Sequence, residues 1–195
     1  MIDLIAFDIR LFYSINGLRN KFLDFLLPLF SDKIFIYFFY ILFFLISSFL
    51  LYRASKLEVR KIPLLIVLFL LGFGVSDFSC GKLFKPLFHR ERPFVNLPKV
   101  YYYSHGEFQY LNNPLTHKQT KSFPSCHAEN TAYASTFLSF LKPSLSPLFI
   151  FFALMVGYSR IYLGHHFPLD VFFGYLLGFI IGLLFYKILK FLKIY

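Results

Sequence analysis

Charged side chains are scarce in this sequence of 195 residues, where they make up 15% of the chain against 57% hydrophobic residues. A water-soluble domain of this length needs more polar surface than that to cover its core. The apolar residues are also gathered into long blocks, which is typical of helices that lie in a lipid bilayer. The shortage of charge therefore argues against a soluble domain and predicts a membrane-embedded protein.

Acidic residues are half as common as basic ones, ten against twenty, so the formal net charge is +10. Nucleic acid, the cytoplasmic side of a membrane and an anionic substrate are the three partners that such a charge can serve. The positive charge lies in short loops between apolar blocks, in segments 82–92 and 99–121, and at Arg160. No basic run interleaved with aromatic residues stands apart from the apolar blocks, so we expect no nucleic-acid partner.

Cysteine occurs only twice and tryptophan is absent. Cys80 and Cys126 form neither a zinc-binding pattern nor a CxxC motif. Both are expected near the same membrane face, where a disulfide between them is the alternative and free thiols are the expectation that we favour. No carboxylate-rich cluster lies near the motifs described below, so we predict no metal site and no cofactor.

Four apolar blocks have close to the roughly 20 residues that a helix needs to cross a bilayer. They are residues 34–52, 62–81, 145–163 and 169–192. A fifth block, 128–141, carries several polar residues, and between two strong spans it is best interpreted as a span whose polar side faces the bundle. Asp77 and Glu129 lie within these blocks, and we expect each to pair with a cation of a nearby site.

Residues 1–30 contain no clean span, only two short apolar stretches on either side of residues 16–21. We expect interfacial amphipathic helices there, with an irregular extra crossing as the alternative. The predicted fold class is all-α, a polytopic transmembrane helical bundle of five clear spans plus an N-terminal interfacial or sixth helix. Residues 1–195 are expected to form a single domain.

The orientation of the bundle follows from its basic loops. Loop 53–61 is rich in Lys and Arg, and Lys142 and the tail 187–193 fall on the same side when the crossings are counted. The positive-inside rule places this side in the cytoplasm. Segment 82–125 and residues 160–166 then face the cell exterior, or the periplasm of a bacterium with two membranes. That face is also basic, which a phosphate-binding site explains.

Three short stretches lie at this outer face, each at a helix end. Residues 85–93 read KPLFHRERP, residues 124–127 read PSCH, and residues 159–170 read SRIYLGHHFPLD. In order and internal spacing they resemble the three-part signature of the type-2 phosphatidic acid phosphatase superfamily, KxxxxxxRP, PSGH and SRxxxxxHxxxD. The resemblance covers residues 85–170, nearly half of the chain. One position departs, because Cys126 stands where the family usually has glycine.

The resemblance implies an enzyme, a lipid phosphatase that works without a metal through a phosphohistidine intermediate at the outer face of the membrane. Its substrate is expected to be a phosphate monoester or diphosphate on a membrane lipid: undecaprenyl diphosphate, lipid A 1-phosphate, phosphatidylglycerol phosphate or phosphatidic acid. Of these we favour undecaprenyl diphosphate or lipid A. The expected location is the inner (cytoplasmic) membrane of a bacterium, with the active site facing the periplasm or the cell exterior.

The residue types fit this chemistry on physical grounds. Phosphoryl transfer needs cations on the non-bridging oxygens, a nucleophile in line and a protonated leaving group. Lys85, Arg92 and Arg160 supply cations, and a guanidinium can hold two phosphate oxygens at once. Ser125 can donate a hydrogen bond just before a helix start, and a backbone donor at Cys126 survives the exchange of glycine for cysteine. These five residues are the predicted phosphate-binding set.

The histidines supply the reactive groups. His166 is the predicted nucleophile, through a neutral imidazole nitrogen. Asp170, about one helical turn further on, can hold the other ring nitrogen and stabilise the cation that develops. His127 is expected to protonate the leaving oxygen and then to activate water. Adjacent residues rarely bind one ion well, so His165 is assigned no catalytic role.

Two alternatives come from other functional classes. A vanadate-dependent haloperoxidase uses the same phosphate cradle, but those members of the superfamily are soluble, which the apolar blocks oppose. A non-catalytic lipid-binding or transport protein of the membrane would carry a degenerate site. The intact basic residues and histidines of all three stretches argue against that interpretation.

Overall fold

The computed structural model describes residues 4–116 and 120–194. Most of these residues are helical, as the sequence predicts. In chain order the helices are α1 (Leu4–Asn16), α2 (Lys21–Leu29), α3 (Lys33–Arg53), α4 (Ile62–Phe78), α5 (Lys85–Leu87), α6 (Pro93–Asn96), α7 (Cys126–Leu141), α8 (Ser146–Tyr162) and α9 (Pro168–Phe191). A π-helical stretch, Ser79–Phe84, joins α4 to α5, and strands β1 (Val100–Ser104) and β2 (Glu107–Leu111) lie between α6 and α7.

Four helical stretches are long and apolar enough to cross a bilayer. They are Lys33–Arg53, Val59–Leu87, Pro143–Tyr162 and Pro168–Phe191, and they coincide with the four strong apolar blocks of the sequence. Helix α7, the fifth predicted span, has 16 residues and is not among the candidate spans found in the described part of the chain. The structure therefore supports four of the five predicted spans, and a fifth crossing stays a prediction.

Helix α7 lies in the middle of the bundle, in contact with α3, α4, α8 and α9. Ten of its 16 residues are buried, among them polar ones such as Glu129, Thr131 and Ser135. A helix that other helices enclose on most sides needs no continuous apolar surface for lipid. Its central position explains why the sequence of α7 is the least hydrophobic of the five blocks.

A stripe of three glycines holds α9 directly against α7. An added Cβ on Gly178 would lie 2.1 Å from the carbonyl oxygen of Glu129, and one on Gly174 would lie 2.6 Å from that of Ser125. Gly182 meets the Thr136 side chain in the same way, at 2.7 Å. Backbones approach this closely only where side chains are missing. The stripe thus fixes the first turn of α7 beside the first turn of α9, where the predicted histidines lie.

The N-terminal segment forms two short helices instead of a long one. Helix α1 has 13 residues and α2 has nine, about 20 Å and 14 Å at about 1.5 Å per residue. Neither reaches the roughly 30 Å of a hydrocarbon core. Asn20 caps α2 and Asp32 caps α3, each accepting a backbone N–H at 2.8 Å, which explains why the chain turns at these points.

A small β-hairpin is a departure from the all-α prediction. Strands β1 and β2 pair antiparallel with Val100 opposite Leu111. The turn places His105 and Gly106 at φ 53° and 89°, and positive φ at both central residues is the geometry that a tight two-residue hairpin requires. Asn16 of α1 exchanges hydrogen bonds of 2.8 and 2.9 Å with the backbone of Tyr101, so the hairpin is fixed to the N-terminal helix.

The two cysteines form a disulfide, so the expectation of free thiols is wrong. Cys80 lies in the π-helical stretch after α4, and Cys126 is the first residue of α7. Because α4 and α7 pack side by side, the two Cα atoms lie 5.5 Å apart although 46 positions separate them in sequence, within the range that a disulfide spans. The bridge joins the end of α4 to the second sequence motif.

Candidate active site

The three sequence motifs meet at one end of the bundle, around a cavity of about 250 Å³. Six of the eight predicted site residues line it: Lys85, Arg92, Cys126, His127, Arg160 and His166. The other two, Ser125 and Asp170, are fully buried next to lining residues. The opposite end of the bundle holds the basic loop and the basic tail, where Lys61 donates to the carbonyl of Lys193 at 2.9 Å.

The predicted phosphate-binding cations have no carboxylate partner within the part of the chain that the structure describes. Arg160, 7% exposed, donates to the hydroxyl of Ser31 at 2.9 Å. Lys85 donates to a backbone carbonyl at 3.3 Å, and the contact of Arg92 is a ring nitrogen of His165 at 3.4 Å. Arg160 is buried, and Lys85 and Arg92 are half-buried. Holding cations away from water without a counter-ion is unfavourable, so the cavity is suited to an anion.

Several buried donors around the cavity are unused. Nε of Arg92, Nε of Arg160 and Oγ of Ser125 have no hydrogen-bond partner among residues 4–116 and 120–194. Buried polar groups in proteins nearly always have partners, and exceptions call for an explanation. Ser125 also precedes the first turn of α7, whose N-terminal end carries partial positive charge. Donors and helix end together favour a tetrahedral anion such as phosphate.

His166 and Asp170 are in contact, as their spacing predicts. Nδ1 of His166 lies 3.5 Å from Oδ2 of Asp170. Asp170 is the third residue of α9, and the same Oδ2 accepts the backbone N–H of Phe167, the residue before the helix, at 2.8 Å, so the carboxylate also satisfies a donor at the helix start. Because Nδ1 faces Asp170 and His166 lines the cavity, Nε2 is the ring nitrogen available to a bound anion.

The imidazole of His166 is held neutral. Burial lowers its pKa well below the ordinary value, and the nearby cations Arg92, Arg160 and Lys85 lower it further. A neutral imidazole keeps a lone pair, which a nucleophile needs. The environment thus suits the role that the sequence predicts for this histidine, while His127 faces the same cavity from the first turn of α7.

His165 has a supporting position that sequence reasoning did not identify. Its Nδ1 lies 3.4 Å from Arg92 and its Nε2 lies 3.1 Å from the carbonyl oxygen of Tyr103 on β1. Burial, followed by the charges of Arg160 and Arg92, lowers its pKa as well. The neutral ring therefore links the hairpin to Arg92, one of the predicted phosphate-binding cations.

Among the residues that the structure describes, neither Asp77 nor Glu129 forms a direct ion pair with a site cation, so the expected pairing stays a prediction. Asp77 accepts a hydrogen bond from the amide of Asn130 at 3.0 Å, and Glu129 accepts one from the hydroxyl of Ser79. Both contacts join α4 and the stretch after it to α7. The carboxylates thus take part in helix packing through these partners, and Asp77 also lines the cavity that the three cations line.

Two residues behind the site are not among the predicted site residues: Arg90, which the sequence left as a possible secondary contact, and Asp8, which it did not single out. Arg90 contacts Asp170 Oδ1 at 2.8 Å and, with its other terminal nitrogen, Asp8 on α1. Asp8 is 1% exposed and lies on one helix face with Phe12 and Asn16, which are also buried. Asp8, Phe12 and Asn16 are four residues apart in the sequence, which places them on one helix face. This spacing is the signal by which Asp8 could have been singled out.

The chain has four candidate membrane spans, and two histidines line one cavity together with three cations that have no carboxylate partner among the described residues. These features fit the class of membrane-embedded proteins that act on phosphate groups. The family model of the PAP2 superfamily matches residues 62–193 of the chain. The chain belongs to this superfamily, whose signature the three motifs resemble.

Relatives of known activity extend this result. The chain is 30% identical over 184 residues to the lipid A 4'-phosphatase of Bacteroides thetaiotaomicron, a match that covers 93% of this chain and 76% of that protein. It is 28% identical over 114 residues to the undecaprenyl-diphosphatase BcrC of Bacillus subtilis, covering 58% of this chain and 53% of the relative. The matches confirm the predicted enzyme class, a lipid phosphatase.

A solved structure shares the fold across the whole chain. The crystal structure of LpxE from Aquifex aeolicus superimposes with a TM-score of 0.65 at 27% sequence identity, covering 96% of this chain and 99% of that one. The N-terminal helices, which precede the residues that the family model matches, are therefore within the shared architecture.

Proposed function

We propose that the chain hydrolyses the phosphate monoester or diphosphate of a membrane lipid, without a metal, through a phosphohistidine on His166. One observation carries the proposal: three cations that have no carboxylate partner among residues 4–116 and 120–194 line a cavity that two histidines also line. Lys85, Arg92 and Arg160 neutralise the non-bridging oxygens of the bound phosphate and of the transition state. Ser125 and the first turn of α7 add neutral donors to the same oxygens.

The reaction proceeds in two displacements. Nε2 of His166 attacks the phosphorus in line, the bond between phosphorus and the lipid oxygen breaks, and His127 gives its proton to that oxygen. His127 then takes a proton from a water molecule, which attacks the phosphohistidine and releases inorganic phosphate. Asp170 holds the Nδ1–H of His166 and stabilises the positive charge that the ring carries in the intermediate.

The substrate that we propose first is a phosphate on lipid A. The similarity to a lipid A 4'-phosphatase, which covers 93% of this chain and 76% of that protein, supports it. Undecaprenyl diphosphate is the second candidate, because Lys33 at the start of α3 also lines the cavity and a diphosphate carries more negative charge than a monoester. Phosphatidylglycerol phosphate and phosphatidic acid complete the panel to be tested.

The site is proposed to face the periplasm or the cell exterior of a bacterial inner membrane, with residues 1–195 as one domain and α1 and α2 at the interface. Two features support this orientation. The basic loop 53–61 lies at the opposite end of the bundle, which the positive-inside rule assigns to the cytoplasm. The disulfide between Cys80 and Cys126 lies beside the cavity, and disulfides persist in oxidising compartments.

Cysteine labelling tests the orientation. In a Cys80→Ser/Cys126→Ser background, one new cysteine replaces Lys56 in the basic loop or His105 at the tip of the hairpin. In intact spheroplasts, a membrane-impermeant maleimide is expected to label the second protein and to label the first only after lysis. The reverse pattern contradicts the proposed face of the membrane.

Phosphate release by detergent-purified protein in excess EDTA tests the activity itself. The panel contains lipid A, undecaprenyl diphosphate, phosphatidylglycerol phosphate and phosphatidic acid. We expect release from at least one lipid, its loss in His166→Ala and its retention in His89→Ala, whose ring is exposed in a loop. Release that requires a divalent metal, or equal release by His166→Ala, contradicts the mechanism.

A further inference from the structure

Arg90 is the point where two buried carboxylates meet. One terminal nitrogen of its guanidinium contacts Oδ1 of Asp170 at 2.8 Å, and the other contacts Oδ2 of Asp8. The guanidinium carbon lies 4.0 Å from the ring centroid of Phe167, so the planar group is also stacked. Asp8 and Asp170 are 1% and 0% exposed. Arg90, unlike the three cations of the cavity, is therefore fully committed to protein partners.

The contacts divide the two oxygens of Asp170 between different tasks. Oδ1 is bound by Arg90, whereas Oδ2 accepts hydrogen bonds from the hydroxyl of Ser122 and the backbone of Phe167 and faces Nδ1 of His166. The carbonyl of Arg90 also accepts the backbone N–H of Ser122 at 2.7 Å. Both the side chain and the backbone of Arg90 thus determine which oxygen of Asp170 His166 meets.

Helix α1 takes part through Asp8. Its Oδ2 pairs with Arg90, and its Oδ1 accepts the backbone N–H of Leu169 at 2.9 Å, in the first turn of α9. Asp8 precedes residues 62–193, which the family model matches, and it joins the N-terminal helix to the helix start that carries Asp170. The pairing also offsets the charge of Arg90, which otherwise adds to the positive field around His166.

We infer that Arg90 is a positioning residue of the active site and Asp8 its counter-ion, which together hold the Asp170 carboxylate against Nδ1 of His166. This inference rests on the proposed function, because the pair is inferred to orient His166, the nucleophile of that function. Neither residue lines the cavity, so both act through Asp170 and not on the substrate.

The pair makes a prediction about the titration of His166 that a purely structural role does not make. Removing Arg90 leaves two carboxylates near the ring, which favours the imidazolium and raises the pKa of His166. Removing the charge of Asp8 leaves Arg90 half neutralised, which opposes the imidazolium and lowers the pKa. The other charged or titratable groups that face the ring are the same in all variants: Lys85, Arg92, His127, Arg160, His165 and Asp170.

Three variants test the inference: Arg90→Gln, Asp8→Asn and the double variant. A histidine nucleophile is active when neutral, so kcat/KM rises with pH through the pKa of His166 in the free enzyme. We call this rising part of the pH profile of kcat/KM the acid limb. We expect it to move to higher pH in Arg90→Gln, to lower pH in Asp8→Asn, and to return near the wild-type position in the double variant. Small misplacement of a reacting group costs up to about 100-fold in rate, so kcat of Arg90→Gln and of the double variant should fall by about 10- to 100-fold with KM little changed.

A matched control is present in the same protein. Arg19 pairs with Asp24 at 2.6 Å and stacks 3.5 Å from the ring centroid of Phe108, which reproduces the chemistry of the Arg90 pair away from His166. Arg19→Gln and Asp24→Asn are expected to leave the acid limb unchanged. Thermal unfolding of each purified variant separates loss of fold from loss of positioning.

The titration is also followed directly, by NMR of protein labelled with nitrogen-15 at histidine. The pKa of His166 can be measured in this way even if no lipid of the panel is hydrolysed. Failure of the proposed function and failure of the positioning role are therefore distinguished. The inference is supported if the pKa of His166, read from the titration of its resonance, moves in opposite directions in Arg90→Gln and Asp8→Asn. An unchanged pKa of His166 in both variants, or shifts in the same direction, overturn it. If Arg90→Gln does not fold, Asp8→Asn decides alone: a lower pKa of His166 supports the inference, and an unchanged or higher one overturns it.

Discussion

Arg160 carries its charge into the bundle with little compensation. It is 7% exposed, its Nε has no partner among the described residues, and one nitrogen donates to the neutral hydroxyl of Ser31. An arginine keeps its proton in proteins, so the free protein bears the cost of a buried cation. In the proposed function a bound phosphate offsets that cost, which would tie the stability of the site to its occupancy.

Arg160→Met is therefore expected to separate stability from activity. Hydrogen bonds to charged groups contribute about 1.5–3 kcal/mol each, so losing the guanidinium should lower kcat/KM by 100-fold or more, by this order-of-magnitude reckoning. Replacing an unpaired buried charge with an apolar side chain of similar length should raise the unfolding free energy of the substrate-free protein by about 1 kcal/mol. Phosphate release and thermal unfolding in detergent measure the two effects.

Arg53→Met is the control for this comparison, because Arg53 is exposed at the opposite end of the bundle. Arg53→Met should change neither kcat/KM nor the unfolding free energy. An Arg160→Met protein that retains full activity, or that loses stability as well as activity, contradicts the account of an unpaired functional cation.

At the scale of elements, the contact between α7 and α9 keeps the two histidines together. His127 lies in the first turn of α7, and His166 directly precedes α9. Three glycines of α9 allow the backbones to touch, most closely where Gly178 faces the carbonyl of Glu129. Any side chain at this position has to push the two helices apart, because backbone atoms cannot rotate away.

Gly178→Ala tests the importance of this contact. Overpacking typically costs about 1–3 kcal/mol, and the unfolding free energy should fall by that amount. The rate should fall as well, since widening the interface shifts His127 relative to His166. Gly74→Ala in α4 is the matched control, because an added Cβ there meets nothing within 4 Å. That change should stabilise the helix slightly, so equal losses in both proteins contradict the close-contact role.

The elements differ in how far the sequence predicts them. Four strong spans were predictable because each has lipid on one side and therefore a continuous apolar block. The polar residues of α7 obscured it, since helices instead of lipid surround it. The hairpin, whose turn holds His105 and Gly106 between β1 and β2, was not predicted. Its tyrosines resemble an interfacial belt as much as a strand, and sequence pattern alone does not separate the two.

At the scale of the whole molecule, the site is an assembly of distant segments. The motif residues could be singled out because their spacing within each stretch resembles the signature of the family to which the chain belongs, and the structure brings six of them to one cavity. Contacts between stretches could not be singled out in this way: the bridge from Cys80 to Cys126 and the pairing of Asp8 with Arg90 depend on how helices pack. No local pattern encodes a partner 46 or 82 positions away. Asp8 and Ser31 show that the N-terminal segment supports residues of the site.

The central claim is that His166 carries the phosphoryl group, and trapping that intermediate tests it most directly. The purified protein is mixed with a phosphorus-32-labelled lipid substrate in EDTA and quenched in alkali, where phosphohistidine is stable. The account predicts label on the peptide that contains His166, released by acid, absent from His166→Ala and present in His89→Ala. Rapid hydrolysis by wild-type protein with no trapped label, or label on another residue, would contradict it.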